Sequence, residues 1–467
     1  MWKHRTAFTA RMHDSGRMVV RALTIGVVAL ALMLLTARDI TAQASPLDSI
    51  ARLAVERNLA VRQLRESERQ GALGVRQARG LFLPSVGVEA RYSELNGAID
   101  IGDAVNPAYA ALNKLIGRDD FPTNIHQTLP FKQETKLRTS IPLFNGALFA
   151  NLAAARAISE LRGAEREAAT RRLDAESRQA YLNYARAQRA AEIWEATLPV
   201  LVENQRVSER LLNAGTLTGD AVHRARAAKA DGDQQLAEAI RARSAALGAL
   251  NLLLDREADA PVPQLVDSLL PAPPSLTLEA ALAAAGQREE RAQVTAGASA
   301  ARAKGRAASS AFLPTVALAA DYGVQGSKYQ FDTKHDAAIA SVVLSWNLFN
   351  GGQDASRREQ AQSAERVMTI RASELDRLIT LDVRTSYDAM QVARQGLVAA
   401  AVRVAATRRA FQFVDRRFGE GLTSHLEWSD ARAQLTAAEL NMSLSRYTLA
   451  ARGIDLERAA ALRPITR

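Results

Sequence analysis

Few side chains in this sequence are disposed to do chemistry, and the most suggestive are two carboxylates. Glu427 and Asp430 stand three residues apart in Glu427-Trp428-Ser429-Asp430, a spacing that puts both on one face of a helix. Together they form a focus of negative charge able to attract cations. Carboxylates near a helix start also suit the helix dipole in any protein. The 467 residues include no Cys, which excludes disulfides, thiol chemistry and an acylated-cysteine anchor. Of six His, His126, His223, His335 and His425 lie far apart, and His4 and His13 sit near the N-terminus. None belongs to a metal-type cluster. Gly351-Gly352 starts a helical stretch but lacks the Lys and Ser/Thr of a phosphate-cradling loop, and no nucleophile motif is present. The expectation is a protein that is not an enzyme and uses no cofactor and no metal, with its energy source in a partner.

The elements that position these residues occur twice. Leu81-Phe82-Leu83-Pro84-Ser85-Val86 returns as Ala311-Phe312-Leu313-Pro314-Thr315-Val316, 230 residues later. Ser140-Ile141-Pro142-Leu143-Phe144-Asn145-Gly146 returns as Ser345-Trp346-Asn347-Leu348-Phe349-Asn350-Gly351 at an offset of 205, and Arg210 and Gly215 return as Arg416 and Gly421 at 206. Two copies of one unit explain this if the first carries a longer loop between its Pro84 and Asn145 landmarks. A period this long means a duplicated half-molecule, since solenoid units run about 20 to 50 residues.

Most of the chain reads as long helix. From Leu148 to Leu212 the only breakers are Gly163 and Pro199, and the second copy runs from Ala355 to Phe418 broken only by Gly396. Ala, Glu, Arg, Leu and Gln dominate, all good helix formers. At 1.5 Å per residue the first run extends about 98 Å if unbroken; Pro199 either kinks it or ends one helix and starts another. Ala225, Ala227, Ala228, Ala237, Ala239 and Ala242 permit close backbone approach, so several helices are expected to bury narrow seams against one another.

The remaining segments alternate with period two. Pro84, Val86, Val88, Ala90 and Tyr92 oppose Ser85, Gly87, Glu89 and Arg91, and Val316, Leu318, Ala320, Tyr322 and Val324 oppose Thr315, Ala317, Ala319, Asp321 and Gly323. The returning segments, around Leu137–Leu143 and Val342–Leu348, alternate too. These are strands of roughly 9 to 12 residues with one greasier face, the length a tilted transmembrane strand needs. Four strands cannot span a membrane alone, because open edges leave backbone groups unpaired in hydrocarbon. The chain therefore closes a barrel with copies of itself, or keeps two hairpins in water.

The N-terminus reads as a signal peptide over residues 1–44. Lys3, Arg5, Arg11, Arg17 and Arg21 precede an apolar run from Ala22 to Leu35, and Ala42-Gln43-Ala44 offers a cleavage site; an uncleaved anchor is the alternative. This segment contributes +4 of the formal +10, and the remaining Arg residues are spread among Glu and Asp, so nucleic-acid binding is not expected. Residues 45–270 form the first repeat, with a hairpin over 82–144 and a helix turn near 213–219. Residues 271–467 form the second, with a hairpin over 312–348 and a turn near 419–424.

The paired Phe-Leu-Pro-x-Val motifs, the two Leu-Phe-Asn-Gly turns and the paired Arg-x4-Gly junctions resemble the TolC family of outer membrane efflux proteins, from about Leu47 to Leu462. The resemblance implies a mainly α fold with transmembrane β: a homotrimer whose subunits each give four strands to a twelve-stranded barrel, above an α-helical tunnel across the periplasm. It implies Val86, Val88, Tyr92, Val316, Leu318, Tyr322, Leu344 and Trp346 as residues facing outer-membrane lipid, with surface loops over Glu94–Glu134 and Gln325–Asp336. It places Arg210, Gly215, Thr216, Arg416, Gly421 and Leu422 at periplasmic turns that dock an adaptor, with Thr218 or Ser424 capping the next helix. Glu427 and Asp430 fall where a well-known relative has two aspartates lining the pore entrance; three copies make a ring of up to six carboxylates, cation-selective and able to bind blocking metals. The function implied is the exit duct of a tripartite export system with an inner-membrane pump. Small-molecule efflux is favoured over type I protein secretion, and a soluble periplasmic coiled-coil adaptor is the rival class.

Overall fold

The computed structural model describes residues 45–94, 99–129, 132–326 and 336–465. The expected signal peptide, His335 and nearly all of the Gln325–Asp336 connection lie outside the described residues. In chain order the elements are α1 (Pro46–Arg57), α2 (Leu59–Gly80), β1 (Ser85–Tyr92), β2 (Ile99–Asp100), α3 (Ile101–Ile116), β3 (Thr128–Leu129), β4 (Gln133–Phe144), α4 (Gly146–Asn213) and α5 (Gly219–Leu253). The second half follows with α6 (Leu278–Ala284), α7 (Glu289–Ser309), β5 (Thr315–Gly326), β6 (Asp336–Ser345), α8 (Gln353–Gly419) and α9 (His425–Ala459). The duplication survives in the element lengths: helices of 68 and 35 residues in the first half, and of 67 and 35 in the second.

The Leu-Phe-Asn-Gly motifs launch the long helices through their asparagines. Asn145 Oδ1 accepts the Ala147 N–H at 3.0 Å, and Asn350 Oδ1 accepts the Asp354 N–H at 3.4 Å. Gly351 and Gly352, at φ +68° and +82°, make the tight bend that precedes α8. α4 runs through Pro199 without a break, which settles the choice between one helix and two. α8 likewise continues through Gly396.

The chain divides into two compact units, each assembled from both repeats. The first takes residues up to 57, 173–273 and 393–454, and holds both helix turns. Its core centres on Tyr181, Leu182, Leu250, Leu254 and Tyr447. Burial pushes the Tyr181 phenol up to about 12, so it stays a donor, and it bonds the Pro263 carbonyl at 2.8 Å. Of the alanines expected to line close helix contacts on α5, Ala225 is buried, whereas Ala227, Ala237 and Ala242 are exposed.

The second unit takes residues 58–172, 274–392 and those from 455 onward, and holds the sheet. Here the helices do meet along small residues: Ala150, Ala154, Ala157 and Ala164 on α4 and Ala296, Ala300 and Ala303 on α7 are buried, in steps of three, four and seven. Below the sheet a cluster of ion pairs ties α7 to α8 and α9. Arg288, only 8% exposed, meets Glu290 at 2.6 Å and Asp382 at 2.8 Å, and Arg458 reaches the same Asp382 at 3.0 Å. Burial alone would raise the Asp382 carboxyl, but hydrogen bonds from Arg458 and Arg288 outweigh it and hold it below the usual range.

The sheet has the order β1-β4-β5-β6, antiparallel throughout, with a register irregularity between Pro142 and Phe144. Among the described residues no helix is long and apolar enough to cross a membrane.

Candidate functional site

In the first unit the chemistry gathers around two turns that share one backbone design. At the end of α4, Gly215 adopts φ +74°, its N–H bonds the Leu212 carbonyl at 2.9 Å, and the Thr216 N–H bonds Leu211 at 3.0 Å. At the end of α8, Gly421 adopts φ +72°, its N–H bonds Phe418 at 3.0 Å, and the Leu422 N–H bonds Arg417 at 2.8 Å. Both are Schellman closures, with a left-handed glycine satisfying the orphan carbonyls of a helix end. Every partner in the second is 206 residues from its counterpart in the first.

The following helices start differently. Ser424 Oγ accepts the Glu427 N–H at 3.2 Å, a true cap, whereas the equivalent Thr218 makes no side-chain cap bond. Of the two expected caps only Ser424 acts. Thr218 is in the extended conformation of a cap, and the Ala221 N–H bonds its carbonyl at 3.2 Å.

Glu427 and Asp430 are both exposed near the start of α9. Glu427 stands three residues after its cap, the acidic position of a capping box, and its carboxylate accepts the Thr423 hydroxyl. Asp430 stands three residues further along the same face. Arg210 is exposed and lies 3.6 Å from Glu203; Arg416 is exposed with its Nε donating to Gln412 O at 3.2 Å; Leu422 is 62% exposed. Thr216 and Gly421 line one groove of about 650 Å3 between the turns, with Leu211, Leu217, Arg224 and Phe418.

Beside the carboxylates lies a residue that spacing did not single out. His425 is buried, its Nε2 3.0 Å from the Asn204 amide of α4, while Nδ1 is buried without a partner. Burial pushes its imidazole below the usual range, and the Arg224 guanidinium adds to the shift. Trp428 covers it, with ring centroids 5.7 Å from Phe418 and 5.9 Å from Phe411, and donates its indole N–H to Asp415 at 2.7 Å. The aromatic residues at 411, 418 and 428 were the available signal for this cluster. A lone histidine carried none.

In the second unit the pairing register sorts the sheet into two faces. Val86, Val88 and Tyr92 share a face with Leu137 and Ile141 of β4, with Val316, Leu318 and Tyr322 of β5, and with Val342 and Leu344 of β6. Trp346 lies just past the end of β6, its indole N–H on the Phe312 carbonyl at 3.1 Å. The eight residues expected to face lipid are thus brought together, seven on one face and Trp346 at its margin. The other face carries Glu89, Arg91, Glu134, Lys136, Arg138 and Asp321, joined by ion pairs: Arg91–Glu134 at 2.7 Å, Lys136–Glu134 at 2.6 Å, Arg138–Glu89 at 2.6 Å and Arg138–Asp321 at 3.2 Å. Among the described residues, no three His, Asp or Glu side chains are grouped to hold a metal ion.

Residues 280–462 match the family described as outer membrane efflux protein. A comparison with curated protein sequences returns no match. Solved structures share the fold over 89% of this chain. CusC is 20% identical with a TM-score of 0.73 and 91% of its own chain covered. The VceC outer membrane protein of Vibrio cholerae is 17% identical, with a TM-score of 0.73 and 95% covered. The MtrE outer membrane channel of Neisseria gonorrhoeae, in its open state, is 19% identical, with a TM-score of 0.71 and 89% covered.

Proposed function

With residues 280–462 matching the outer membrane efflux proteins and the fold that of outer-membrane channels, we propose that this chain is the outer-membrane exit duct of a tripartite export system. The observation that carries the reading is the two-faced sheet with two open edges. One face is mainly apolar and the other carries the charged residues, which are internally paired, the division expected between lipid and a watery lumen. β1 and β6 each pair on one side only, and open edges are not tolerated in hydrocarbon, so further copies must complete the sheet. Three copies supply twelve strands.

The helices support the same assembly. On α8, Leu378, Leu381, Val392, Ala399, Val402, Ala406 and Phe413 fall on heptad positions, interrupted by Thr385, Asp388, Gln395 and Arg409, and all seven are exposed in the single chain. A second seam on the same helix is buried. An exposed apolar heptad seam is what a neighbouring helix covers in a coiled coil or helical barrel. A soluble adaptor of coiled coils would account for the helices but leave the apolar sheet face in water.

The exposed turn residues Arg210, Gly215, Thr216, Arg416, Gly421 and Leu422 are the surface offered to a periplasmic adaptor, and an inner-membrane pump supplies the energy. Small toxic compounds are the favoured cargo, with type I secreted protein the second reading. Glu427 and Asp430 would ring the entrance, with Asp430 the stronger element because the Glu427 carboxylate already accepts the Thr423 hydroxyl.

Purified protein should run as a trimer extracted only with detergent, and show small or intermittent conductance in planar bilayers. Recovery as a soluble periplasmic monomer would overturn the reading. Glu427→Gln with Asp430→Asn should weaken cation preference in asymmetric KCl and relieve block by a trivalent metal, while stability changes within ~0.5 kcal/mol. Unchanged selectivity and block in an assembled trimer would make both carboxylates ordinary helix-surface groups.

A further inference from the structure

The segment between β1 and β4, expected as a plain loop, contains a folded element. Asp100 Oδ1 accepts the Gly102 and Gln127 N–H groups, each at 2.9 Å, pinning the start of α3 to the returning chain. Asn106 grips Ile125 in both directions, donating to its carbonyl at 2.8 Å and accepting its N–H at 2.9 Å. Asn113 does the same to Phe121 at 2.7 and 2.9 Å, and Tyr109 packs against the Phe121 ring at 5.3 Å. A Cβ at residue 102 would collide with the Ile125 carbonyl, so the closest approach requires glycine. Gly117, at φ +68°, ends the helix.

All of these contacts use one side of α3. On the far side Ile101, Ala104, Ala108, Ala111 and Leu115 recur in steps of three and four, every one exposed, with Leu115 at 84%. That is a heptad seam with nothing against it. Three alanines at the middle of the seam allow close helix approach; the large apolar residues exposed on α3, Ile101, Leu112, Leu115 and Ile116, lie at its ends, and a lipid-seated helix calls for a strongly basic opposite face. α3 has a single basic residue, Lys114, and an acidic Asp103.

We propose that this seam packs against its own equivalents in the other copies, so that three α3 helices draw together over the outer mouth as a cap. The inference rests on the duct reading through one step. β1 is an edge strand that another copy must pair, and Ile99 follows its last residue, Tyr92, by only seven positions. Each α3 is therefore tethered beside a junction between copies, at the side of the sheet away from the long helices. The cap limits what leaves the duct, and it is held by small-residue contacts that can part for cargo.

The absence of Cys makes the test direct. Ala108→Cys and, separately, Ala111→Cys are introduced into the full-length chain, assembled in the outer membrane, and exposed to a mild oxidant. Expected is a reducible covalent dimer holding at most about two thirds of the subunits, because only two of three symmetry-related thiols can pair. Unitary conductance should drop on oxidation and return with reductant. The cap is overturned if the assembled trimer stays unlinked at both positions while a bulky membrane-impermeant maleimide labels them from outside the cell. A lipid-seated helix would give that result. Absence of trimers from the outer membrane would instead overturn the duct reading beneath it.

Discussion

The two helix turns carry the same backbone and almost nothing else in common. Applying the offset of 206, Gly219 corresponds to His425, Val222 to Trp428, Ala221 to Glu427 and Arg224 to Asp430. The Schellman closure is kept in each because its requirement is conformational: a left-handed residue and two carbonyls in need of donors. Side chains answer to their surroundings instead. The second turn acquired a buried aromatic cluster, a serine cap and two exposed acids, whereas the first holds a buried valine and an arginine at the matching sites.

Trp428→Ala offers the largest break in that comparison. It removes a ring 6% exposed that packs on Phe411 and Phe418 and donates to Asp415. The loss should be about 3 kcal/mol locally, seen as amide exchange across residues 411–430 faster by about two orders of magnitude. Val222→Ala, its counterpart, should loosen the first turn by clearly less.

Acidification should also act mainly on the second turn. The folded-state pKa of His425 is depressed, so its contribution is complete above the unfolded value of about 6.5 and is lost as pH falls through the lower folded value. The groups facing the ring are Asn204 of α4, Arg224 of α5 with its partner Asp220 at 3.0 Å, and the Phe418 and Trp428 rings. No carboxylate among those four neighbours touches the ring to welcome a proton. Each pH unit across the window costs up to about 1.4 kcal/mol, and exchange should quicken more at the second turn than at the first, whose helices face the ring through Asn204 and Arg224. His425→Gln should abolish that difference.

Gly215→Ala and Gly421→Ala sharpen the shared part of the comparison. Each forces a Cβ into the left-handed region and should cost about 1 kcal/mol, equally, because neither glycine has a neighbour that a Cβ would meet. Unequal costs would mean that packing as well as conformation sets the turns. The smallest effect separates the caps: Ser424→Ala should cost about 1 kcal/mol, and Thr218→Ala only a few tenths. Both pairs can be read by thermal melting of tip fragments' exchange protection within the whole protein.

The turns were legible in the sequence because Gly215 and Gly421 sit at helix ends where glycine has one strong meaning. The strand faces were legible because period two leaves no third side. Pro199 was ambiguous by itself, since neighbours decide whether a long helix tolerates a missing donor. α3 was hidden by Gly102, Pro107 and Gly117, breakers within a span of sixteen residues, and by clasps that join Asn106 to Ile125 and Asn113 to Phe121 across the segment. Long-range pairing of that sort has no local signature. Thr218 and Ser424 read alike as caps, and only the rotamer each adopts in place separates them.

The paired face of the sheet has a consequence for anything moving past it. Three basic and three acidic side chains per chain cancel, so in the proposed duct a passing ion would meet alternating dipoles and no monopole to hold one sign of charge. Such a lining is slippery to cations and anions alike. Its neutrality is also fragile in a multiplicative way: a single codon change such as Asp321→Asn would strand a positive charge in every copy at once. In the proposed trimer, symmetry would convert one lost carboxylate into a ring, and a permissive wall into a selective one.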